Sequence, residues 1–422
     1  MNIKEINEIK DLLLANHNII LNGAPGTGKT YLAKEIAKSM GGKCGFVQFH
    51  PSYDYTDFVE GLRPVSNGQI GFKRIDGVFK AFCKDALKCM NAEIDKAIAS
   101  FAEEVKQKGN ISVTYAKSSD KGTFKVSYRQ NPEPKSFIVT LENGRVQHAP
   151  YDEIVAVIKG TGYLYTTYSY SIGKYIIQNY LNERTNWVFI IDEINRGDMS
   201  KIFGELFFSI DPGYRGIEGN VMTQYQNLIP KEDDADYNPA DADVFRYGFY
   251  VPENVYIIGT MNDIDRSVES MDFAMRRRFS FKEVTAEDSM QMLDDDKAWK
   301  DKKPDDVTLS QLKDRMKRLN NKIWHKPEQE ETEKQKSING LSSAYYIGAA
   351  YFLKLSNYAG DADKGFENLW NNHLKGLLRE YLRGMPNADD LLEKLKDAYD
   401  LKSTTNNQNQ NKLADDDGAT ER

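Results

Sequence analysis

The sequence predicts an α/β fold in which a parallel sheet is built around a phosphate-binding loop, interrupted by a small inserted β element and followed by a C-terminal α-helical domain. Three observations point there. The stretch Asn22-Gly23-Ala24-Pro25-Gly26-Thr27-Gly28-Lys29-Thr30 lies between an apolar run, Ile19 to Leu21, and residues Leu32, Ala33, Ile36, Ala37 and Met40 at helical spacing. Two further apolar runs end in polar residues: Trp187 to Ile191 in Asp192-Glu193, and Tyr256 to Met261 in Asn262. Beyond Glu283 the apolar residues recur only with helical periodicity.

Composition narrows the classes. A chain of 422 residues can bury a substantial core and suggests two or three domains. No apolar run approaches the roughly 20 residues that cross a bilayer, and Met-Asn-Ile-Lys-Glu has no signal-peptide pattern, so a cytoplasmic location with no membrane partner is expected. Cys44, Cys83 and Cys89 lack a C-x-x-C spacing and read as free thiols. The histidines are scattered, so the metal expected is the one a nucleotide carries. A net charge of −7 weighs against a broad nucleic-acid-binding face and leaves room for a local basic pore assembled from several subunits.

Taken in order, Ile3, Ile6, Ile9, Leu13 and Leu14 mark a short amphipathic helix over 3 to 16. The first strand and the glycine loop follow, then a helix from Tyr31 to Met40 that Gly41-Gly42 ends. Phe46 to Phe49 reads as a second strand, His50 to Gly61 as a loop with a packed helical turn, and Asp76 to about Lys106 as a helix. Over 109 to 150, Val113, Tyr115, Phe124, Val126, Tyr128, Phe137, Val139 and Leu141 alternate with polar neighbours, and Asn143-Gly144 signals a hairpin. This small antiparallel insertion reads as a solvated β-hairpin, with contact to a partner or nucleic acid through its Lys and Tyr residues as the alternative. Tyr170 to Leu181 is a helix, Trp187 to Ile191 a central parallel strand, and Ser200 to Ile210 a helix with one apolar face. Residues 211 to 249 read as a long surface excursion, Tyr256 to Asn262 as another buried strand, and Val268 to Met275 as a helix. The expected organisation is an α/β domain over 1–282, a helical lid domain over 283–402 and a disordered tail over 403–422, whose Asn/Gln/Asp-rich composition holds almost no apolar residues.

The chemistry follows from these placements. The glycine loop fits G-x-x-x-x-G-K-[ST]: its glycines let backbone N–H groups converge on a phosphate at a helix N-terminus. Gly23, Ala24, Pro25, Gly26, Thr27, Gly28, Lys29 and Thr30 are the expected phosphate cradle, with Lys29 on the β/γ-phosphates and the Thr30 hydroxyl on Mg²⁺. Strand C-termini of a parallel sheet line the ligand crevice, so Asp192 is the second expected Mg²⁺ contact and Glu193 the group that polarises the attacking water. Asn262, ending the neighbouring strand, orients that water or touches the γ-phosphate. Arg276-Arg277-Arg278 reads as a solvated cationic face, as a site for an anionic partner, or as a source of an arginine supplied in trans to a neighbour's site.

In that order, several motifs resemble the AAA+ GTPase subunit of McrBC-type modification-dependent restriction systems. They are Gly23 to Thr30; Phe49-His50-Pro51-Ser52-Tyr53 with Asp57-Phe58-Val59-Glu60-Gly61; Ile191-Asp192-Glu193-Ile194-Asn195-Arg196; Gly259-Thr260-Met261-Asn262 with Asp265-Arg266-Ser267; and Arg276 to Phe281. Leu377 to Leu382 after Trp370 is similar to that family's lid. The resemblance implies an AAA+ P-loop NTPase domain with a helical lid, GTP or ATP as substrate, a hexameric homo-oligomeric ring with nucleotide at subunit interfaces, and a McrC-like nuclease partner acting on DNA. It places Asp192, Glu193 and Asn195 in the Walker B signature, Asn262 at the sensor position, Asp265 and Arg266 in an M-N-x-x-D-R-S motif, and Arg277 or Arg278 as the trans-acting finger. Asp263-Ile264 replaces the family's usual Thr-Ala within that motif, and Tyr345 to Phe352 contains no sensor arginine. The family's N-terminal reader of modified DNA is expected to be missing. Two alternatives remain: a MoxR-like ATPase that remodels proteins without DNA, and a nucleotide-gated scaffold that needs no turnover.

Overall fold

The computed structural model describes residues 3–66, 70–116, 121–128, 136–161, 165–181, 184–264, 273–295, 304, 307–325, 337–358 and 360–400. Helix α1 (Ile3–Asn16) leads into β1 (Asn18–Gly23), the glycine loop, α2 (Lys29–Ser39) and β2 (Lys43–Gln48). A helical turn, α3 (Tyr55–Phe58), precedes the hairpin β3 (Glu60–Ser66) and β4 (Ile70–Asp76), and α4 (Val78–Lys108) follows. The insertion comprises β5 (Ile111–Thr114), β6 (Thr123–Tyr128), β7 (Ser136–Thr140) and β8 (Val146–Pro150). Next come α5 (Tyr151–Lys159), α6 (Thr167–Tyr180), β9 (Trp187–Asp192), α7 (Met199–Phe203), α8 (Leu206–Ser209) and β10 (Val255–Asn262). Then α9 (Phe273–Arg276), β11 (Ser280–Glu283), α10 (Ala286–Ser289) and α11 (Gln291–Asp295) lead to helices Leu309–Ile323, Ala349–Leu353, Ala362–Leu369, Lys375–Tyr381 and Ala388–Asp400.

Five parallel strands form the main sheet in the order β11-β1-β10-β9-β2. Both faces are covered, which is why its central strands are uninterrupted apolar runs. Ile19 and Leu21 point into a layer with Ile9 and Leu13 of α1 and Leu32 and Ile36 of α2, whereas Ile20 joins the opposite core with Phe49, Phe58, Phe79 and Phe203. The outermost strand, β11, is four residues long and lies within a segment whose motif alone was legible. It pairs with β1 from Ile19↔Ser280 to Asn22↔Glu283.

The insertion folds as an antiparallel meander, β5-β6-β7-β8, with Val113, Phe124, Val126, Phe137 and Val139 buried against α4 and α6. Phe101 of α4 meets Phe137 at 5.1 Å and Tyr180 at 5.7 Å. A tight turn closes the β7–β8 hairpin, where Gly144 adopts φ 77° and donates to the Leu141 carbonyl at 2.9 Å.

Two departures from the sequence reading have physical causes. The stretch after Tyr55 continues into the β3–β4 hairpin, whose pairing runs from Glu60↔Asp76 to Ser66↔Ile70. Its buried end is polar: Glu60 and Lys80 are both fully buried and bonded at 2.7 Å, so the hydrophobic alternation that marks a strand is weak there. Residues 211 to 249 are largely irregular, with four short 3₁₀ turns, yet Phe245 and Phe249 enter the main core and Thr223 donates to Gln226 beneath Lys80. Few apolar anchors among many polar residues hide that burial from composition.

The C-terminal helices enclose a second core with Leu312, Met316, Leu319, Phe352, Trp370, Leu378 and Tyr399, and Ala24 of the glycine loop packs into it. The tail expected over 403–422 and the start of the helix expected over 268–275 lie outside the described residues. Among the described residues no helix is long and apolar enough to cross a membrane.

Candidate functional site

Strand order brings the polar strand ends together. In register, Gly23 lies beside Asn262 on β10, and Gly259 lies beside Ile191, so Asp192 sits next to Thr260. The chain leaves β1 at Gly23 and turns through Gly26 (φ 75°) and Gly28 (φ 82°), the latter left-handed as it caps α2. Lys29, at the start of that helix, is 7% exposed. Its ammonium donates to the Gly23 and Ala24 carbonyls at 3.0 and 2.9 Å and to Asn262 Oδ1 at 2.8 Å. Burial lowers its pKa to about 8, against the opposing pull of Glu193, Asp263 and Asp192.

Asp192 Oδ1 accepts from the Thr30 hydroxyl at 2.6 Å and from the Thr260 hydroxyl at 2.7 Å. Glu193 takes a left-handed backbone (φ 52°), which turns its side chain out of the strand direction. Its Oε1 accepts from Asn262 Nδ2 at 2.7 Å, and its Oε2 lies 3.3 Å from Arg196 Nε. Asn262 therefore bridges Lys29 and Glu193, while Asn195 Nδ2 reaches the Asn262 carbonyl at 3.5 Å.

A hydroxyl and a carboxylate 2.6 Å apart are hard oxygen donors that fit Mg²⁺, which takes few protein ligands and completes its shell with phosphate oxygens and water.

The C-terminal helical region touches the loop directly. Gly348 N donates to the Pro25 carbonyl at 2.9 Å and Ala350 N to the Gly26 carbonyl at 3.0 Å. Asn320 holds this segment by accepting from Ile347 N at 2.8 Å and donating to its carbonyl at 3.1 Å. A cavity of about 540 Å³ opens beside Ala24, lined by Glu283, Glu287, Asn321, Trp324 and Tyr346 among others.

The arginine triplet divides. Arg278 is 8% exposed; its Nε donates to the Phe207 carbonyl at 2.7 Å and its Nη1 to the Ala274 carbonyl at 2.6 Å. That places Arg278 inward, bound within its own chain. Arg277 is exposed. Asp265 and Arg266 lie outside the described residues.

Sequence reasoning gave no role to Thr260, Arg196 or the segment around Gly348. Thr260 carried a signal: a hydroxyl in an otherwise apolar strand, two residues before its polar end. Gly348 carried none, because what matters there is how closely it approaches another segment.

The family model for the AAA domain (dynein-related subfamily) matches residues 18–108 and 155–279, breaking where the β5–β8 sheet is inserted. The chain is 30% identical over 284 residues to the Type IV methyl-directed restriction enzyme EcoKMcrB subunit of Escherichia coli (strain K12), covering 66% of this chain. It is 24% identical over 293 residues to the Type II restriction enzyme BsuMI component YdiS of Bacillus subtilis (strain 168), covering 67% of this chain. The matches span 38% and 60% of those two relatives.

Proposed function

This chain belongs to the AAA domain (dynein-related subfamily) family and is McrB-like, and from that premise we propose that it is a nucleoside triphosphatase powering a restriction system. The observation that carries this reading is the paired network at the strand ends: Thr30 with Asp192, and Lys29 with Asn262 and Glu193. The loop N–H groups and Lys29 bind the phosphates, and Asn262, already bonded to both Lys29 and Glu193, aligns the γ-phosphate with the attacking water. Glu193 accepts hydrogen bonding from that water and polarises it, its carboxylate held by Asn262 and Arg196. Thr30 and Asp192 would hold Mg²⁺, which would supply charge neutralisation to the phosphates. Asn195 positions Asn262 through its carbonyl, and Asp265 and Arg266 belong to the same sensor segment.

The base fits the 540 Å³ cavity beside Ala24. Glu283 and Glu287 on its lining favour GTP over ATP, because a carboxylate accepts from both N1–H and the exocyclic amine of guanine, whereas adenine offers one donor on that edge. Assembly as a hexameric ring lets Arg277 complete the next subunit's site. The ring, in the cytoplasm, translocates DNA for a McrC-like nuclease that restricts modified or foreign DNA; the two relatives, both named as restriction components, support that setting.

Steady-state hydrolysis of GTP and ATP, with and without a McrC-like partner, tests this reading. Glu193→Gln is expected to lower turnover by about 10²- to 10⁴-fold while nucleotide binding persists. Wild-type turnover in that variant overturns it.

A further inference from the structure

The inserted sheet turns one face to the core and the other to solvent. Strand alternation fixes which residues do which: Val113, Val126 and Val139 point inward and are buried, whereas Ser112, Thr114, Thr123, Lys125, Val146 and His148 are exposed. None of the four strands β5 to β8 holds an acidic residue. Residues 109–150 carry six Lys and Arg against three Asp and Glu, the reverse of a whole chain with 56 basic and 63 acidic residues. That reversal gives the insertion the electrostatic footprint of a polyanion-binding surface.

The cations gather at one end. Antiparallel pairing sets Thr114 opposite Thr123 and Lys125 opposite Thr140, which brings the β5–β6 and β7–β8 turns to the same rim. A Cβ on Gly122 of the first turn would lie 3.5 Å from Glu142 Oε1 of the second. Lys121 and Arg145 are exposed on that rim, and Lys125 stands just inside it. None of the three forms an ion pair among the described residues. Lys84, Lys108 and Arg246, by contrast, are each held by a carboxylate at 2.9 Å or less. The hydroxyls of Ser112, Thr114, Thr123 and Thr140 likewise make no hydrogen bond among the described residues.

Water satisfies exposed groups of this kind, so the fold does not need them. What singles the face out is that cations and hydroxyls stand on it without a carboxylate between them, and these are the side chains that contact phosphodiester oxygens. The outward strand positions hold no Phe, Tyr or Trp on which an unpaired base could stack, which favours a duplex over a single strand. Four strands about 4.8 Å apart make a platform roughly 15 Å wide, which spans several phosphates spaced about 3.4 Å along each strand of a duplex.

We propose that the outward face of the β5–β8 sheet, with Lys121, Lys125 and Arg145 at its rim, docks on the phosphate backbone of double-stranded DNA without reading its sequence. The choice of DNA rests on the restriction reading above, and the choice of a polyanion rests on the face itself. The sheet lies between the two segments that match the family model, 18–108 and 155–279, and is an addition to that domain.

The test titrates the full chain, without nucleotide, against fluorescein-labelled duplex DNA of mixed sequence, following anisotropy from about 50 to 200 mM salt. Affinity is expected to fall with salt at a log–log slope of about −3, close to −0.9 per cation engaged. Lys125→Gln should reduce the magnitude of that slope by about 0.9. Reversing all three charges (Lys121→Glu, Lys125→Glu, Arg145→Glu) should weaken binding at least tenfold and flatten the slope. A matched reversal at exposed positions of the helical region (Lys364→Glu, Lys375→Glu, Lys394→Glu) should change neither. Duplex DNA should bind at least as tightly as duplex RNA, and more tightly than single-stranded DNA or phosphatidylserine vesicles. No binding at the lowest salt, equal losses in the two triple variants, or a tighter complex with RNA, single strands or vesicles each overturns the inference. Unchanged DNA binding in the rim variant removes this face and leaves the hydrolase reading intact; wild-type turnover in Glu193→Gln does the reverse, because binding here is measured without nucleotide.

Discussion

His17 shows how one residue can carry both backbone and titration information. It takes φ 59°, stacks on Tyr256 at 5.4 Å and accepts through its carbonyl from Ile257 N at 2.9 Å, so it joins β1 to β10 before either strand is fully under way. Its folded pKa, about 4, lies below the ordinary value of 6.5. As pH falls, the unfolded chain takes up the proton first, so stability is lost progressively from pH 6.5 to pH 4. The loss amounts to up to about 3 kcal/mol. His17→Asn removes the titration and tolerates the left-handed backbone. Urea unfolding at several pH values should therefore show the wild type losing stability relative to this variant within that window and nowhere else; parallel profiles would exclude a buried neutral imidazole.

Among elements, the contact between the Tyr346–Ala350 segment and the glycine loop joins the two cores. A Cβ on Gly348 would lie 2.1 Å from the Gly26 carbonyl carbon and 2.3 Å from Thr27 N, too close for any rotamer to relieve. Gly348→Ala should separate segment and loop and weaken nucleotide binding at least tenfold, measured with a fluorescent analogue; unchanged affinity would mean that the loop does not need this contact. The β3–β4 hairpin is fastened differently. Glu60 accepts from Lys80 at 2.7 Å, from Arg74 at 3.0 Å and from Tyr225 N at 2.7 Å, tying hairpin, α4 and the 211–249 stretch into one polar knot. Lys80→Met leaves Glu60 short of its fully buried partner and should cost about 3 to 5 kcal/mol in chemical unfolding. A loss under 1 kcal/mol, roughly that of an exposed pair, would show that Arg74 suffices. Neither fastening was legible beforehand, because Lys80 reads as one more charged residue on a helix and Gly348 as a turn.

At the scale of the whole molecule, the exposed Arg277 and the inward Arg278 make opposite predictions. Arg277→Ala should fold normally and lose turnover by about 10³- to 10⁵-fold in the assembled state. Mixing it with Glu193→Gln subunits should restore part of the activity, since an intact arginine and an intact glutamate then meet at some interfaces. No recovery on mixing would remove the trans role. Arg278→Ala should instead lower the unfolding midpoint, because the Phe207 and Ala274 carbonyls lose their donor. The sequence by itself determined the glycine loop, the apolar strands with their acidic and amide ends, the alternating insertion and the helical C-terminal region. Those features are written in contiguous residues, where local spacing and periodicity suffice. Only the tertiary structure decided that Thr30 meets Asp192 across 162 residues, that Thr260 joins them and that Arg278 turns inward. Those outcomes depend on strand order and on which groups burial leaves without water, and neither is a property of any local stretch of chain.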